Sequence, residues 1–185
     1  MRIISGQWRS RPIVAPKGDT TRPTADRTRE TLFSMLNSRL GNFNGLYVLD
    51  LFSGSGALGL EALSRGAAHV TFVEQDPAAL TALRKNIANL DAEMKCDVRP
   101  VSVLTLGPAQ RGYDIILADP PYATNAGVVA VDKLSRLGWI ADDAWISLET
   151  DHKSDIEIKG YAIDTSRKVG KAKLTLLRAQ MPTCE

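Results

Sequence analysis

The sequence predicts an α/β protein built on a doubly wound, mainly parallel β-sheet, and two observations carry this prediction. From residue 46 onward, short apolar runs typical of buried strands alternate with stretches of helical periodicity. A glycine-rich segment lies between the first apolar run and the first of these helices, where such sheets turn sharply from strand to helix. The alternation of strands and helices implies parallel strands joined by right-handed crossovers.

Before the strand-helix alternation begins, the N-terminal part of the chain is predicted to form a β-hairpin and one helix. Two short β-prone runs flank a Gly- and Arg-containing middle in RIISGQWRSRPIVAP, which indicates a basic β-hairpin over residues 1–20, outside the core. An amphipathic helix with a basic outer face follows, capped by Thr24 or Asp26. Apolar residues stand at helical spacing along it: Leu32, Phe33, Leu36 and Leu40.

The remaining elements form one domain over residues 21–185. Strands are expected at 46–50, 69–74, 113–119 and 144–150, with a weaker one in CDVRPVSV. Helices are expected in GALGLEALSRG, PAALTALRKNIANL and NAGVVAVDKLSRLG, and IEIKGYAIDTSRKVGKAKLTLLRA is expected to close the chain as an antiparallel strand pair.

Composition limits the class of protein. With 185 residues, of which 44% are hydrophobic, the chain can bury one substantial core. No apolar run is long enough to span a bilayer, and the start lacks a signal peptide, so a cytoplasmic location is expected. Neither a disulfide framework nor a metal site is expected, because two cysteines and two histidines lie far apart: Cys96, Cys184, His69 and His152.

The charge is distributed unevenly. Residues 1–39 carry eight Arg or Lys against three Asp or Glu, although the whole chain has a formal net charge of only +2. Such asymmetry favours an N-terminal segment that faces a polyanion, with an almost neutral body behind it.

The glycine-rich segment predicts a nucleotide-like ligand. It runs from Asp50 through Phe52, Gly54 and Gly56 to Gly59, and the helix that follows supplies backbone amide donors. Glu74 and Gln75, at the end of the next strand, suit the hydroxyls of an adenosine ribose. GSGALG also fits the dinucleotide pattern GxGxxG, so a nicotinamide cofactor stays open, but Asp50 favours the cationic methionine end of S-adenosylmethionine.

A second motif, Asp119-Pro120-Pro121-Tyr122, directly follows the strand YDIILA. In a doubly wound sheet, the carboxyl end of this strand opens onto the same crevice as the glycine-rich segment. The prolines stiffen the backbone and leave carbonyl acceptors beside the Asp119 carboxylate, which together suit a target NH2 group. Tyr122 offers a flat face to an extruded base. Methylation at carbon 5 of a pyrimidine would need a cysteine nucleophile, and neither cysteine is suitably placed.

Because it contains these motifs, the chain resembles the RsmD family of bacterial small-subunit rRNA guanine-N2 methyltransferases over nearly its whole length. The resemblance is carried by MRIISGQWRSRPIVAPKG, RPTADRTRE, DLFSGSGALGLEALSRGA and DPPY, in that order. It implies a seven-stranded Rossmann-like class I methyltransferase sheet, S-adenosylmethionine as donor, and a guanine of 16S rRNA on a small-subunit assembly as target. A monomer with no metal and no membrane association is expected.

The resemblance also implies roles for individual residues. Arg22 and Thr24 would help to close the cofactor pocket, and Ser102 stands where many members carry an Asp that accepts from the adenine amine. Trp8 either stacks on a base or packs on the domain. The RNA-binding set is completed by four arginines: Arg2, Arg9, Arg11 and Arg27.

Three other functions stay open on the sequence alone. An adenine-N6 DNA methyltransferase would use the same DPPY motif, although the chain is short for one that reads a duplex. A nicotinamide-dependent oxidoreductase would use the same glycine-rich segment. A catalytically silent RNA-binding assembly factor would retain the fold without the reaction.

Overall fold

The computed structural model describes residues 1–16, 23–121 and 125–180. These contain four α-helices, α1 (Pro23–Leu40), α2 (Ala57–Ser64), α3 (Pro77–Asn89) and α4 (Ala126–Arg136). The seven strands are β1 (Tyr47–Leu51), β2 (His69–Val73), β3 (Cys96–Arg99), β4 (Tyr113–Ala118), β5 (Ile140–Asp151), β6 (Tyr161–Val169) and β7 (Ala172–Ala179). Among the described residues, no helix is long and apolar enough to cross a membrane.

The strands form one sheet in the order β3-β2-β1-β4-β5-β7-β6. Strands β1 to β5 pair in parallel, and β7 pairs antiparallel with both β5 and β6. The predicted doubly wound, seven-stranded α/β fold is therefore confirmed, including the final antiparallel pair. Strand β5 begins at Ile140, earlier than predicted, beside an irregularity in its pairing with β4.

The sheet separates two apolar clusters, because successive side chains of a strand point to opposite faces. Val48, Phe72 and Leu117 belong to the cluster on the face of α1, α2 and α3, whereas Leu49 and Ala118 belong to the cluster on the face of α4. Burial on both faces explains why these strands appear in the sequence as nearly continuous apolar runs.

The N-terminal arm, residues 1–16, corrects one prediction. It turns back on itself through an antiparallel bridge between Arg2 and Pro12, but it does not lie outside the core. Ile3 and Ile13 are 1% and 4% exposed and belong to the same cluster as α1 and α2. At the tight approach of Gly6 to α2, a Cβ atom would lie 1.8 Å from the carbonyl oxygen of Ser64.

A buried carboxylate attaches this arm to α2. Glu61, which is 0% exposed, accepts hydrogen bonds from the backbone amides of Ile4 at 2.7 Å and Ser5 at 3.0 Å. It also accepts from Arg65 Nε at 2.8 Å and lies 3.8 Å from Arg29 Nε. The buried charge is thus matched by two amides and two guanidinium groups, as a charge removed from water requires.

Helix α1 also differs from its prediction at both the cap and the outer face. It begins at Pro23, whose fixed φ suits a first helical position, so Asp26 lies inside the first turn instead of capping it. Asp26 there accepts a hydrogen bond from Arg29 at 3.1 Å. Arg29 is only 3% exposed, so the basic face of the helix includes Arg27 but not Arg29.

Candidate active site at the carboxyl ends of the strands

The glycine-rich segment forms a left-handed turn between β1 and α2. Phe52, Gly54 and Gly56 have φ angles of 57°, 54° and 80°, and a non-glycine residue in this region is uncommon outside functional sites. At Gly56 a Cβ atom would lie 2.4 Å from Leu83 Cδ1, whereas at Gly54 it would meet nothing within 4 Å. Gly56 is required by packing, and Gly54 faces open space in which a ligand can approach the backbone.

Asp50 lies beneath this turn, 1% exposed, and its Oδ2 accepts a hydrogen bond from the amide of Gly59 at 2.8 Å. Burial raises the pKa of Asp50 well above its ordinary value, and the negative charges of Asp119 and Glu74 raise it further. The hydrogen bond from Gly59 acts in the opposite direction. Three carboxylates therefore share one electrostatic environment at this edge of the sheet.

Glu74 follows the end of β2 and is bonded to the same turn. Its Oε2 accepts from the amide of Gly54 at 2.8 Å, and its Oε1 accepts from the amides of Gln75 and Asp76 at 2.7 and 2.8 Å. Gln75 itself is exposed. The carboxylate is thus held at a fixed place beside the turn, with lone pairs remaining for further donors.

Asp119 follows the end of β4 and faces Asp50. Ala118 pairs with Leu51 of β1, and both are buried on the face of α4, so alternation turns Asp50 and Asp119 to the other face of the sheet. The charge of Asp119 acts on Asp50, in agreement with this placement. Asp119 is exposed as a residue, yet the surrounding protein desolvates its carboxylate. This desolvation, with a contribution from the charge of Glu149, raises the pKa of Asp119 to about 7.

The predicted proximity of the two motifs is therefore present among the residues that the structure describes. Pro120 is buried and Pro121 exposed, and both line a hollow of about 240 Å³ between the end of β5 and the start of α4. Tyr122 and Arg22 lie outside the described residues, and only the backbone of Thr24 is described.

Ser102 lies in the loop after β3 and begins a short 3₁₀ turn, Val103–Thr105. Its Oγ accepts a hydrogen bond from the amide of Leu104 at 3.3 Å. The hydroxyl is therefore occupied in part by its own turn, which leaves its assignment to an adenine amine as a prediction.

The predicted RNA-binding residues have different surroundings. Arg9 and Arg27 are exposed, whereas the guanidinium of Arg11 donates to the carbonyl of Asn89 at the end of α3. Trp8 is half-buried against the cluster shared by α1 and α2, and its backbone amide donates to Ser64 Oγ at 3.0 Å. Packing on the domain is thus the arrangement that the structure has for Trp8. The side chain of Arg2 is exposed.

The thiol of Cys96 is remote from this site, in β3 on the opposite side of β2 from β1. Burial, with a contribution from Glu93, raises its pKa to about 12, so it is a poor nucleophile at neutral pH. Cys184 lies outside the described residues.

Two residues that the sequence did not single out belong to the surroundings of the site. Glu149, near the end of β5, is the charged neighbour of Asp119. Asn86 of α3 donates through Nδ2 to the carbonyls of Ser55 in the glycine turn and Val14 in the arm, both at 2.9 Å. Glu149 could have been found from its position, because polar residues at the carboxyl ends of parallel strands share one edge.

The arrangement suits a cationic ligand better than an anionic one. Asp50, Glu74 and Asp119 surround the turn, and two of them have raised pKa values because their charges are desolvated and close together. A positive ligand would relieve this repulsion, whereas the pyrophosphate of a dinucleotide would increase it. The site therefore argues against the nicotinamide-dependent oxidoreductase.

A seven-stranded sheet of this order, with an acidic glycine-rich turn and a DPP turn at one edge, defines a class I, Rossmann-like methyltransferase. The family described as Conserved hypothetical protein 95 matches residues 1–178. Ribosomal RNA small subunit methyltransferase D of Escherichia coli (strain K12) is 40% identical over 151 residues, which cover 82% of this chain and 75% of the relative. The chain belongs to this family, the RsmD family, as the resemblance predicted.

Other comparisons agree with this assignment. The Haemophilus influenzae protein of the same name is 35% identical over 159 residues, covering 82% of this chain and 79% of the relative. A solved structure of the Escherichia coli protein YhhF, assigned as a methyltransferase, has a TM-score of 0.83 at 32% identity and covers 98% of each chain. Magnesium protoporphyrin IX methyltransferase of Synechocystis, solved with bound S-adenosylmethionine, shares the fold at a TM-score of 0.65 and 17% identity, covering 88% of this chain and 87% of its own.

Proposed function

We propose that this chain transfers a methyl group from S-adenosylmethionine to the exocyclic N2 amine of a guanine in 16S rRNA, within the small ribosomal subunit or an assembly intermediate. The names of the Escherichia coli and Haemophilus influenzae relatives support ribosomal RNA of the small subunit as substrate. The observation that carries the chemistry is the position of Asp119 and Pro120 opposite Asp50, where β4 and β1 end side by side.

The residues of the glycine turn fit the proposed cofactor. The open space before Gly54 admits a ligand against the backbone, and Glu74 is held where it can accept from ribose hydroxyls. Asp50 lies beneath the turn with a raised pKa, and a cationic ligand would favour its ionised form. S-adenosylmethionine supplies, when bound, a methyl group made electrophilic by its sulfonium sulfur. Roles for Ser102, Arg22 and Thr24 in closing this pocket remain part of the proposal.

The DPP turn would hold the target amine. The Asp119 carboxylate and the Pro120 carbonyl would each accept one N–H, which reduces the conjugation of the nitrogen with its ring and turns its lone pair toward the methyl group. As the new N–C bond forms, the nitrogen must lose a proton, and a carboxyl group with a pKa of about 7 can accept it at neutral pH. No covalent intermediate is needed.

The target base would have to leave its helix to reach this turn, and Tyr122 would stack on it. Three of the predicted arginines are exposed and available for phosphates of the RNA: Arg2 and Arg9 on the arm and Arg27 on α1. The basic N-terminal segment would thus supply affinity for the RNA, and the pocket would select the target base.

A nucleoside assay tests the proposal. The purified protein is incubated with S-adenosylmethionine and small subunits from a strain that lacks the corresponding gene, and the nucleosides are analysed by mass spectrometry. N2-methylguanosine is the expected product, whereas N6-methyladenosine would favour the adenine-N6 alternative and no product would favour a silent assembly factor.

Substitution of Asp119 separates chemistry from binding. Asp119→Asn should lower turnover strongly, because its amide oxygen is a weaker acceptor than a carboxylate and cannot take the proton that the amine loses. Its affinity for S-adenosylhomocysteine, measured by calorimetry, should be retained. Asp142→Asn, at an exposed position of β5, is the matched control and should keep full activity. A fully active Asp119→Asn would overturn the proposed role of the DPP turn.

A further inference from the structure

Glu149 lies next to Asp119 at the carboxyl edge of the sheet. The last registered pair of β4 and β5 is Ala118 with Leu148, so the next residues, Asp119 directly after β4 and Glu149 of β5, are neighbours at this edge. Ala118 and Leu148 are both buried on the face of α4. Because side chains alternate along a strand, Asp119 and Glu149 share the opposite face. The electrostatic effect of Glu149 on Asp119 agrees with this placement.

The DPP turn and the end of β5 border a hollow that opens toward the start of α4. The hollow of about 240 Å³ beside Pro120 and Pro121 is also lined by Glu149, Thr150 and Asp151. Thr150 Oγ1 is buried and has no hydrogen-bond partner among the described residues. A buried polar atom of this kind is costly unless a ligand or water satisfies it. Thr150 stands two residues after Leu148 and so shares the face of α4, whereas Glu149 and Asp119 supply the two carboxylates of the proposed base site on the other face.

Guanine and adenine differ in the donors that they would bring here. Next to its N2 amine, guanine carries a second donor, the ring N1–H. Adenine has an N6 amine, but its ring N1 is an acceptor. An ionised carboxylate only accepts hydrogen bonds, so it can bond the guanine edge and is repelled by the adenine edge.

We propose that Glu149 determines the base specificity of this site, by accepting a hydrogen bond from the N1–H of guanine while Asp119 holds the neighbouring N2 amine. The inference rests on the proposed function, because it places the target base at the DPP turn. It supplies from this chain's own residues a reason for guanine, which the motif DPPY alone does not give.

A purine analogue tests this assignment. 2-Aminopurine keeps the exocyclic amine of guanine, but its N1 has no hydrogen. Small subunits are reconstituted with either guanine or 2-aminopurine at the nucleotide that the nucleoside assay identifies, and kcat/KM is measured for each. The wild-type protein should prefer guanine by about 10- to 100-fold, the factor expected when a charged hydrogen bond is lost.

Glu149→Gln should remove this preference. Its kcat/KM for guanine should fall by about 10- to 100-fold, and the ratio of guanine to 2-aminopurine should fall toward one, since the new amide can donate to an unprotonated N1. Glu149→Asp keeps the charge, so it should retain a preference for guanine even where its kcat/KM is lower. Glu157→Gln, at an exposed position that does not line the hollow, should behave as wild type.

The outcomes separate the two proposals. An unchanged ratio of guanine to 2-aminopurine in Glu149→Gln would overturn the role of Glu149, even if the variant were slower, because a purely structural defect lowers both rates together. If the wild-type protein methylated neither base, the proposed function itself would fail. If Glu149→Gln does not fold, Glu149→Asp tests the assignment instead. Loss of the preference for guanine in Glu149→Asp would count against the role of Glu149.

Discussion

Among single residues, Asp119 has the environment that bears most directly on how activity should depend on pH. A carboxyl group has an ordinary pKa near 3.8, but desolvation and the charge of Glu149 raise that of Asp119 to about 7. The protonated form of Asp119 therefore extends to much higher pH than usual. Since the proposed reaction needs the ionised form as an acceptor, activity should depend on pH in the neutral range.

The first prediction is a rising limb in the pH profile. The value of kcat/KM should fall about tenfold for each pH unit below 7, because this parameter reports the ionisation of the free enzyme. In Glu149→Gln the midpoint of the limb should move to lower pH, since one source of the raised pKa is removed. The imidazole of His69 is a second titratable group, whose pKa burial lowers, so His69→Asn serves as a control and should leave the limb in place. A midpoint near pH 4 in the wild-type protein would contradict the prediction.

The two glycines of the turn give a second prediction at this scale. Both have left-handed backbone conformations, so replacement by Ala costs about 1–2 kcal/mol at either position. At Gly56 the new methyl group would also clash with Leu83, whereas at Gly54 it would enter open space. Gly56→Ala should lower the free energy of unfolding by about 1–3 kcal/mol more than Gly54→Ala does, as urea titration measures.

For cofactor affinity, the larger loss should occur in Gly54→Ala and the smaller one in Gly56→Ala. Gly54→Ala should lose affinity for S-adenosylhomocysteine in calorimetry, because its methyl group occupies the space in which we place the cofactor. Undiminished affinity in Gly54→Ala would show that the cofactor does not approach the backbone there.

At the scale of elements, the sequence predicted most of the sheet and less of what packs around it. Apolar runs and a strand-helix alternation identified β1, β2 and β4 within a residue or two, because burial on both faces leaves a strong signal. The N-terminal arm was expected outside the core. Its two buried residues, Ile3 and Ile13, are too few to show a periodicity, and the α2 residues that bond the arm lie 56 or more residues away in the sequence.

The candidate site was predictable to a similar degree. Asp50, Gly54, Glu74 and Asp119 lie at strand ends, where the topology alone brings them together. Glu149 was not singled out, although its position at the end of a predicted strand puts it on the same edge as Asp119. That the two are direct neighbours depends on the register between β4 and β5, which the sequence does not give. The predicted cap of α1 was wrong for a local reason: the helix begins at Pro23, so Asp26 lies within its first turn.

The attachment of the arm gives the third prediction. Glu61→Gln would remove the buried carboxylate that faces Arg65 and Arg29, leaving Asp26 as the carboxylate beside Arg29. It would also weaken the bonds to Ile4 and Ser5. Its free energy of unfolding should fall by about 3–5 kcal/mol, the cost of breaking a buried ion pair from one side. Glu93→Gln, at an exposed position, should change it by no more than about 0.5 kcal/mol. Equal effects of the two substitutions would mean that Glu61 does not hold the arm.

At the scale of the whole molecule, the arm connects the basic N-terminal segment to the cofactor turn. Its tip packs on the end of α2 at Ser64, and its last described part bonds through Val14 to Asn86, which also bonds to Ser55. The arm thus extends along one side of the domain as far as the candidate active site. An RNA that follows the arm would be directed toward the edge of the sheet where β4 and β5 end.

The salt dependence of RNA binding tests this arrangement. Arg9 is exposed near the tip of the arm, whereas Arg11 already donates to Asn89 and is a weaker candidate for phosphate. If Arg9 neutralises one phosphate, Arg9→Gln should weaken binding to small-subunit RNA and reduce the slope of log K against log salt concentration by about 0.7–0.9. Affinity for S-adenosylhomocysteine should not change. The control is Arg136→Gln in the last turn of α4, where the side chain is 73% exposed and pairs with Asp132. An equal loss in both variants would indicate that only overall charge matters, and that the arm does not guide the RNA.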